Sequence, residues 1–563
     1  MTDRDNTFPF YLLLFFVAVI PLFALGLSNH GVWTADEPRV AEIGREMALS
    51  KNFAVPTLDQ RPFLEEPPLY YAAIAAVFDA FGGPSDKTVR IPSAVFALCG
   101  ALSLFFLGNL LFGPRTGFIS AFILATCGEY FRVAHWVIVD SALTCFVILA
   151  LTFFMAAYLS ERRGRRYLFY TLCYVSCSFA FYAKGFIGIA IPALAVLSFV
   201  LFDRNIKEIL RMHLWLGIAL FLVLTLPWFL ALVQQGGTTF LKVFLVHNHL
   251  ERFAGGSTGH SQPFYYYLAQ FPGGYLPWSI LLVPVFYWAF RRQGRPQGTE
   301  GKGILFAKCW FISGFLFLSA ASTKRVLYLM PIFAPIALLT ASYIEASLTR
   351  KDLKGFEKAF ALLFGIVVFL VGLAVTPLLF YASKKYGFGL PVKEVCWTVC
   401  LALISIVLAL TAFVKYRTST GRFWTFSAAS VFSLLLLGLI VVMPVLDRFK
   451  SFVPFCDAIK AAAPGTTVIY GFQPDETLRG AVPFYTGRFL KEIETLAELR
   501  EALKGDEASI VVIRDKRGQV KRDLLSTGKL SILGEYGMDK DRDLAIFGTT
   551  PGPGGPSGPA KLP

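Results

Sequence analysis

DSALTCFVILALTFFMAAYLS, residues 140–160, runs directly into ERRGRR, residues 161–166, and this stretch decides the fold. Its apolar part is long enough to cross a bilayer core as a helix, which needs about 20 residues. Asp140 stands alone at one end and four arginines stand at the other. Because cytoplasmic loops hold the excess of Lys and Arg, the arginine end is predicted to lie inside. Working outward, comparable runs fall at roughly 8–27, 89–111, 117–134, 167–183, 185–202, 213–234, 275–290, 304–321, 326–347, 359–381, 394–414 and 423–446. The expectation is an all-α polytopic membrane domain of about 13 transmembrane helices. A further run at 68–83 is short, opens with Pro67-Pro68 and contains Asp79, so it is predicted to be a juxtamembrane helix at the periplasmic interface.

Charge tests this topology. With the N-terminus inside, residues 1–7 and the inner loops 112–116, 161–166, 203–212, 291–303, 348–358 and 415–422 hold 20 Lys/Arg against 8 Asp/Glu. Counting 68–83 as a span would put most of these basic loops outside. The net charge of +15 therefore orients the chain, and little is left over to bind a polyanion, which excludes nucleic acid. Only 16% of the 563 residues are charged, where a soluble protein carries about 25%. Residues 8–27 lack a convincing small-residue cleavage pattern and are expected to stay as a helix. The nine cysteines include no CxxC pair, so neither a disulfide framework nor a zinc site is indicated.

Two predicted outer loops are long, 28–88 and 235–274, and long loops usually carry function. The membrane domain is expected to end near residue 446. Residues 447–550 read as a small periplasmic α/β domain, with strands at Thr467–Phe472, Ala481–Tyr485, Ser509–Arg514 and Leu544–Phe547 and a helix at Thr495–Leu503. The Pro/Gly-rich tail 551–563 is expected to be disordered.

Polar chemistry gathers on the predicted outer side. Trp33-Thr-Ala-Asp36-Glu37-Pro38-Arg39 follows the first span; its carboxylates suit a general base or a helix N-terminus, and both roles can hold together. Phe63-Leu-Glu65-Glu66-Pro67-Pro68-Leu69-Tyr70-Tyr71 is either an anchoring corner or a second pair of functional carboxylates. Arg132-Val-Ala-His135 leads to Asp140, which can cap its helix or serve a site at the membrane mouth. His247-Asn-His249-Leu-Glu-Arg252 places His249 and Arg252 on one helix face, without a standard zinc spacing. Ser322-Thr-Lys324-Arg325, with Tyr328 a turn later, puts two cations against the inside-positive bias; phosphate binding or snorkelling to headgroups would account for them. The spans carry almost no ionisable residue at mid-depth, Lys308 near an inner end excepted, and this speaks against an ion-coupled transporter.

In this order the motifs resemble those of the C-type integral-membrane glycosyltransferases, most closely the aminoarabinose transferase and protein O-mannosyltransferase group. The resemblance covers about residues 10–345. It implies a sugar carried from a polyprenyl-phosphate donor to an acceptor on the periplasmic face of a bacterial inner membrane. Asp36 then resembles the catalytic carboxylate of the first outer loop, and Asp140 the second acidic residue. Glu65 matches the Glu of the family's Glu-Lys-Pro-Pro-Leu motif. Arg252, Lys324 and Tyr328 look like contacts on the phosphate side, and Arg39, Glu66, Tyr70, Arg132, His249 and Arg325 complete the candidate substrate-binding set. No cofactor is required, but Glu65 with His249 is a candidate holder of a divalent metal. One departure stands out: this chain has Glu66 where the family commonly has Lys, so a basic contact to the donor is lost. Lys324, Arg325, Arg252 and Arg61 are the candidates to replace it.

The acceptor stays open between lipid A, a protein Ser/Thr and another envelope glycan, with lipid A favoured by the compact C-terminal domain. Membrane lipids are partners in any case. A lipid-linked sugar transporter and a catalytically inactive binder are the readings of another class; the first would show inverted repeats with broken helices, which the sequence lacks.

Overall fold

The structure is a computed structural model that describes residues 2–33, 36–251, 261–291, 298–349, 355–416, 418–465, 467–504, 509–515, 518–526, 528–539 and 542–549. Arg252, the side chain of His249 and the tail 551–563 lie outside the described residues. The chain divides into two compact units, one of Met1–Gly26, Leu64–Leu69 and Ser93–Val442, the other of Leu27–Phe63, Tyr70–Pro92 and Met443–Pro563.

The first unit is helical and makes the chain a multi-pass integral membrane protein. Among the described residues nine helices are long and apolar enough to cross a membrane, or eleven if each of two bent pairs is one span. The difference from thirteen has a local cause. Ile187–Phe202 has only 16 residues, and Arg163–Lys184 is diluted by Tyr167, Tyr170, Tyr174, Ser176, Ser178 and Tyr182. Both still pack inside the unit, Arg163–Lys184 along Asp140–Tyr158 and against Ile187–Phe202. The reversal between them is tight because residue 188 is glycine: a Cβ there would lie 2.3 Å from the Ala180 carbonyl oxygen.

The bent pairs are Pro114–Thr126 with Gly128–Ala134, at 73°, and Tyr266–Gly274 with Trp278–Arg291, at 115°. A broken helix strands backbone groups that lipid cannot satisfy. Here one break answers the other, since Gly128 N–H donates to Leu276 O at 2.8 Å. The expected outer loop 235–274 is also largely helical where described. Leu214–Lys242 continues into a π-helix, Val243–Glu251, and Tyr266–Gly274 follows later. The short run near 68–83 is a 13-residue helix, Leu69–Phe81, shorter than a membrane span requires.

The second unit holds a five-stranded sheet. With the small hairpin Thr57–Leu58 (β1) and Arg61–Pro62 (β2) counted first, its strands are Val468–Phe472 (β3), Lys491–Ile493 (β4), Ser509–Asp515 (β5), Leu530–Asp539 (β6) and Arg542–Thr549 (β7). Their order is β4-β3-β5-β7-β6. β3 runs parallel to β4 and β5, and β7 antiparallel to β5 and β6. Alternate residues serve two cores: Ile469, Ile510, Val512 and Ile546 pack on one face, while Tyr470, Val511, Ile513 and Phe547 pack on the other. Burial on both faces is why β5 reads as an unbroken apolar run.

One expected strand is a helix. Ala481–Tyr485 lies inside Glu476–Thr486, whose N-terminus is capped by the Asp475 carboxylate accepting from Thr477 and Leu478 N–H. The apolar run buries one helical face there, and Gly487, at φ 73°, ends it. This helix packs on Asp36–Ser50. Contact is close because Gly480 has no side chain; a Cβ would sit 2.4 Å from the Pro38 carbonyl carbon.

The β1–β2 turn shows how polar groups are buried in this unit. Asp59 and Gln60 have positive φ, 51° and 64°, as a two-residue hairpin turn of the primed type requires. Glu46 holds the turn by accepting from Thr57 Oγ1 and from the N–H groups of Asp59 and Gln60. Burial, with the Glu46 and Glu492 charges adding to it, pushes the Asp59 carboxyl up to about 6.

Two outcomes are expected. Gly480→Ala should destabilise the second unit by about 1–3 kcal/mol through overpacking against backbone, seen as a lower thermal midpoint of the purified protein. Asp59 binds its proton more tightly folded than unfolded, so its contribution is complete below about pH 4 and fades as the pH rises through 6. Asp59→Asn stays neutral and tolerates positive φ. Its unfolding free energy should therefore fall less than that of the wild type between pH 4 and 7, by up to about 3 kcal/mol; parallel pH profiles would refute the assignment.

Candidate active site

In the first unit three of the expected residues meet around a lysine that sequence reasoning missed. Asp140 opens the helix Asp140–Tyr158, but the N-cap position belongs to Val139 and no side-chain cap forms. Its carboxylate instead accepts from Lys184 Nζ at 2.6 Å. Lys184 ends the neighbouring helix Arg163–Lys184, where a cation is favoured by the helix dipole. The same ammonium stands 4.0 Å from Glu66 Oε1 and 4.7 Å from the Tyr328 ring centroid. The Asp140 side chain is 1% exposed and that of Lys184 11%, so the pair is almost dry. A charge pair with so little water is costly to break, about 3–5 kcal/mol when one partner is lost. A signal for Lys184 was present in the sequence: it is a lone basic residue on the outer side, against the inside-positive bias.

Glu65 and Glu66 reach this neighbourhood on the short segment Leu64–Leu69, and the Leu64 carbonyl accepts from Asn248 Nδ2 at 2.9 Å. His247, next to Asn248, pairs with Glu251 at 2.8 Å. Among the described residues no three His, Cys, Asp or Glu side chains converge as a metal would require. The suggested Glu65–His249 pair cannot be placed, because the His249 side chain lies outside those residues.

A second cation group forms beside it. Arg132, Trp136, Gln262, Tyr266, Lys324 and Arg325 line a polar cavity of about 320 Å³. The Arg132 guanidinium lies 3.9 Å from the Trp136 ring centroid and is paired with Glu129. Lys324 is buried and donates to the Gln262 and Ala321 carbonyls. The 3-10 turn Val326–Leu329 links both groups. Tyr328 N–H donates to Arg325 O at 3.0 Å, while the Tyr328 ring faces Lys184.

Asp36 belongs to the second unit, and upstream of it each residue from His30 to Trp33 is tied down. Arg90, with no exposed surface, donates to the His30, Gly31 and Asp86 carbonyls and to Glu37 Oε1. Glu37 Oε2 in turn accepts from Trp33 N–H at 2.6 Å. Asp447 accepts from Gly31 N–H and Trp33 Nε1, and Tyr485 Oη takes the Val32 N–H. One turn on, Arg39 bridges Asp36 Oδ1 at 3.1 Å and Glu476 Oε2 at 2.6 Å. Arg39 also lies over the Phe63 ring, so its place is set by two carboxylates and an aromatic face. Tyr70 is buried in this unit, and Arg61, a suggested replacement for the missing lysine, pairs with Glu492. Arg90, Asp447, Glu476 and Tyr485 were not anticipated; in sequence they are isolated polar residues more than 50 positions from Asp36, or, for three of them, more than 400.

Replacing Arg90 by Met removes the cation beside the buried Glu37 carboxylate. Arg90→Met is expected to cost about 3–5 kcal/mol, measured as loss of thermal stability; Arg90→Lys, which keeps the charge but not the fork, should recover only part of it.

Comparison with known proteins agrees with this architecture. The family described as dolichyl-phosphate-mannose-protein mannosyltransferase matches residues 65–230. The undecaprenyl phosphate-alpha-4-amino-4-deoxy-L-arabinose arabinosyl transferase of Erwinia tasmaniensis is 31% identical over 335 residues, 59% of each chain. The protein of the same name from Yersinia pestis is 28% identical over 445 residues, 77% of this chain and 76% of the relative. This chain thus spans about three fifths of the length of the relatives matched at 31% identity. The crystal structure of ArnT from Cupriavidus metallidurans bound to undecaprenyl phosphate superposes with a TM-score of 0.77 at 19% identity, over 97% of this chain and 99% of that one. The helical membrane unit and the mixed C-terminal sheet share the fold of that structure, and over about three fifths of its length the chain is similar in sequence to the undecaprenyl phosphate-alpha-4-amino-4-deoxy-L-arabinose arabinosyl transferases.

Proposed function

We propose that this protein is an inverting glycosyltransferase that moves a sugar, of aminoarabinose type, from undecaprenyl phosphate to lipid A at the periplasmic face of a bacterial inner membrane. The observation that carries the reading is the dry Lys184–Asp140 pair with Glu66 beside it. The relatives' names specify a polyprenyl-phosphate donor, and such a donor needs a cation where charge develops on the departing phosphate. Glu66 removes the lysine commonly found in its motif, and Lys184 supplies an ammonium 4.0 Å from that position. The loss is answered from a neighbouring helix.

The reaction breaks the bond between the anomeric carbon and the phosphate oxygen, and the bonding pair leaves with undecaprenyl phosphate. The acceptor oxygen attacks from the opposite side, so the configuration inverts. A phosphate acceptor is already anionic and needs no strong base. The carboxylates then act by orienting the sugar and by offsetting positive charge at the anomeric carbon and at an amino substituent. Asp36 keeps the role that its motif implies, held in place by Arg39. Two phosphates also need two cation groups, since like charges repel. Lys184 with Tyr328 serves the donor in this reading, and the cavity of Arg132, Lys324 and Arg325 serves the phosphate of the acceptor.

Lys184→Gln should lower kcat/KM for transfer by about 10²–10³, the usual effect of removing one charge-stabilising group, with protein yield and thermal midpoint checked in parallel. Asp36→Asn should lower kcat with little change in donor affinity. Normal turnover in either variant would overturn its assigned role. Mass spectrometry of lipid A from a deletion strain should show the loss of one sugar. A loss confined to periplasmic proteins would make the acceptor a protein hydroxyl instead.

A further inference from the structure

A larger cavity, of about 530 Å³, lies inside the first unit and shares no residue with the groups described above. Its walls come from the helices Thr2–Ala24, Pro114–Thr126, Met330–Thr349 and Thr420–Leu437, with Trp278 at one side. The lining is mostly apolar, Phe118, Phe122, Ile344 and Ala428 among it, and two of its polar features bear on a ligand.

The first is the Trp424 indole. The residue is 7% exposed, lines the cavity, and its Nε1–H makes no hydrogen bond among the described residues. The other tryptophan in the wall differs: Trp278 Nε1 donates to Thr126 Oγ1 at 2.9 Å. A buried donor left without an acceptor costs about 1–3 kcal/mol, so such a group points to a ligand that brings an acceptor. The second feature is Arg115, whose Nε lies 3.4 Å from Glu345 Oε2, with both side chains partly exposed. Arg115 and Gly421 fall in the basic loops 112–116 and 415–422, which places this end of the cavity at the inner leaflet. Indole N–H groups suit that depth, where acyl chains give way to ester carbonyls.

We propose that this cavity is a binding site for a zwitterionic diacyl phospholipid of the phosphatidylethanolamine type. One acyl chain occupies the apolar chamber, an ester carbonyl accepts from Trp424 Nε1, and the rim meets the headgroup. Arg115 and Glu345 stand side by side with opposite charges, which complements a phosphate joined to an ammonium better than it does a net anion. A polyprenyl chain would fill the chamber but offers the indole no carbonyl. The site is independent of the transfer chemistry and makes the lipid a resident component of the membrane unit.

The test is native mass spectrometry of the full-length protein in mild detergent, with phosphatidylethanolamine and phosphatidylglycerol of matched chains at equal concentration. The expected result is retention of one lipid, with phosphatidylethanolamine preferred. Trp424→Phe keeps the ring and removes the donor, and should weaken retention about five-fold. Glu345→Gln should shift the preference toward phosphatidylglycerol, and Ala428→Phe should fill the chamber and abolish retention. Equal retention of the two lipids, or retention unaffected by Trp424→Phe in folded protein, would overturn the proposal. So would displacement by undecaprenyl phosphate that is insensitive to that variant.

Discussion

The buried guanidinium of Arg90 is the constraint on which the second unit depends. It gathers the His30, Gly31 and Asp86 carbonyls and the Glu37 carboxylate into one fork. The segment it holds has no regular secondary structure between Leu27 and Trp33, so its backbone groups have no ladder or helix to satisfy them. Arg90, Asp447 and Tyr485 do that work, and they come from far along the chain. The reward is position. Asp36 opens the helix Asp36–Ser50, and its carboxylate is held by Arg39 three residues on.

The first unit solves a different problem, that of keeping charge in a membrane protein. Lys184 lies at the C-terminal end of one helix and Asp140 in the first turn of another. Each charge is favoured by its own helix dipole and each offsets the other. The pair leaves one donor face of the ammonium directed at Glu66 and Tyr328. A cation thus stands beside Glu66, delivered by the C-terminal end of the helix Arg163–Lys184.

Much of this was legible in sequence. Helix existence followed from the length of the apolar runs, because it rests on bilayer thickness rather than on packing. Asp36, Glu66 and Asp140 stood out as candidates because carboxylates are conspicuous beside apolar runs. Lys184 was not, since one lysine at a helix end is also what snorkelling predicts. Ala481–Tyr485 was misread because a five-residue apolar run fits a strand or one helical face equally well, and only the Asp475 cap distinguishes them. Asp140 was read as a possible cap, and its ion pair with a residue 44 positions away could not be inferred from the local motif.

By itself the sequence determined that the chain crosses a membrane many times, and it set the expectation of which side carries the basic loops and which carboxylates lie opposite. Those features depend on local hydropathy and charge, and they are properties of short segments. Tertiary structure alone decided which cation stands beside Glu66, which residues hold the segment from His30 to Trp33, and that Arg115 and Trp424 line one cavity, with Glu345 paired to Arg115. These depend on contacts between residues tens to hundreds of positions apart, set by how helices pack, and no local pattern encodes them.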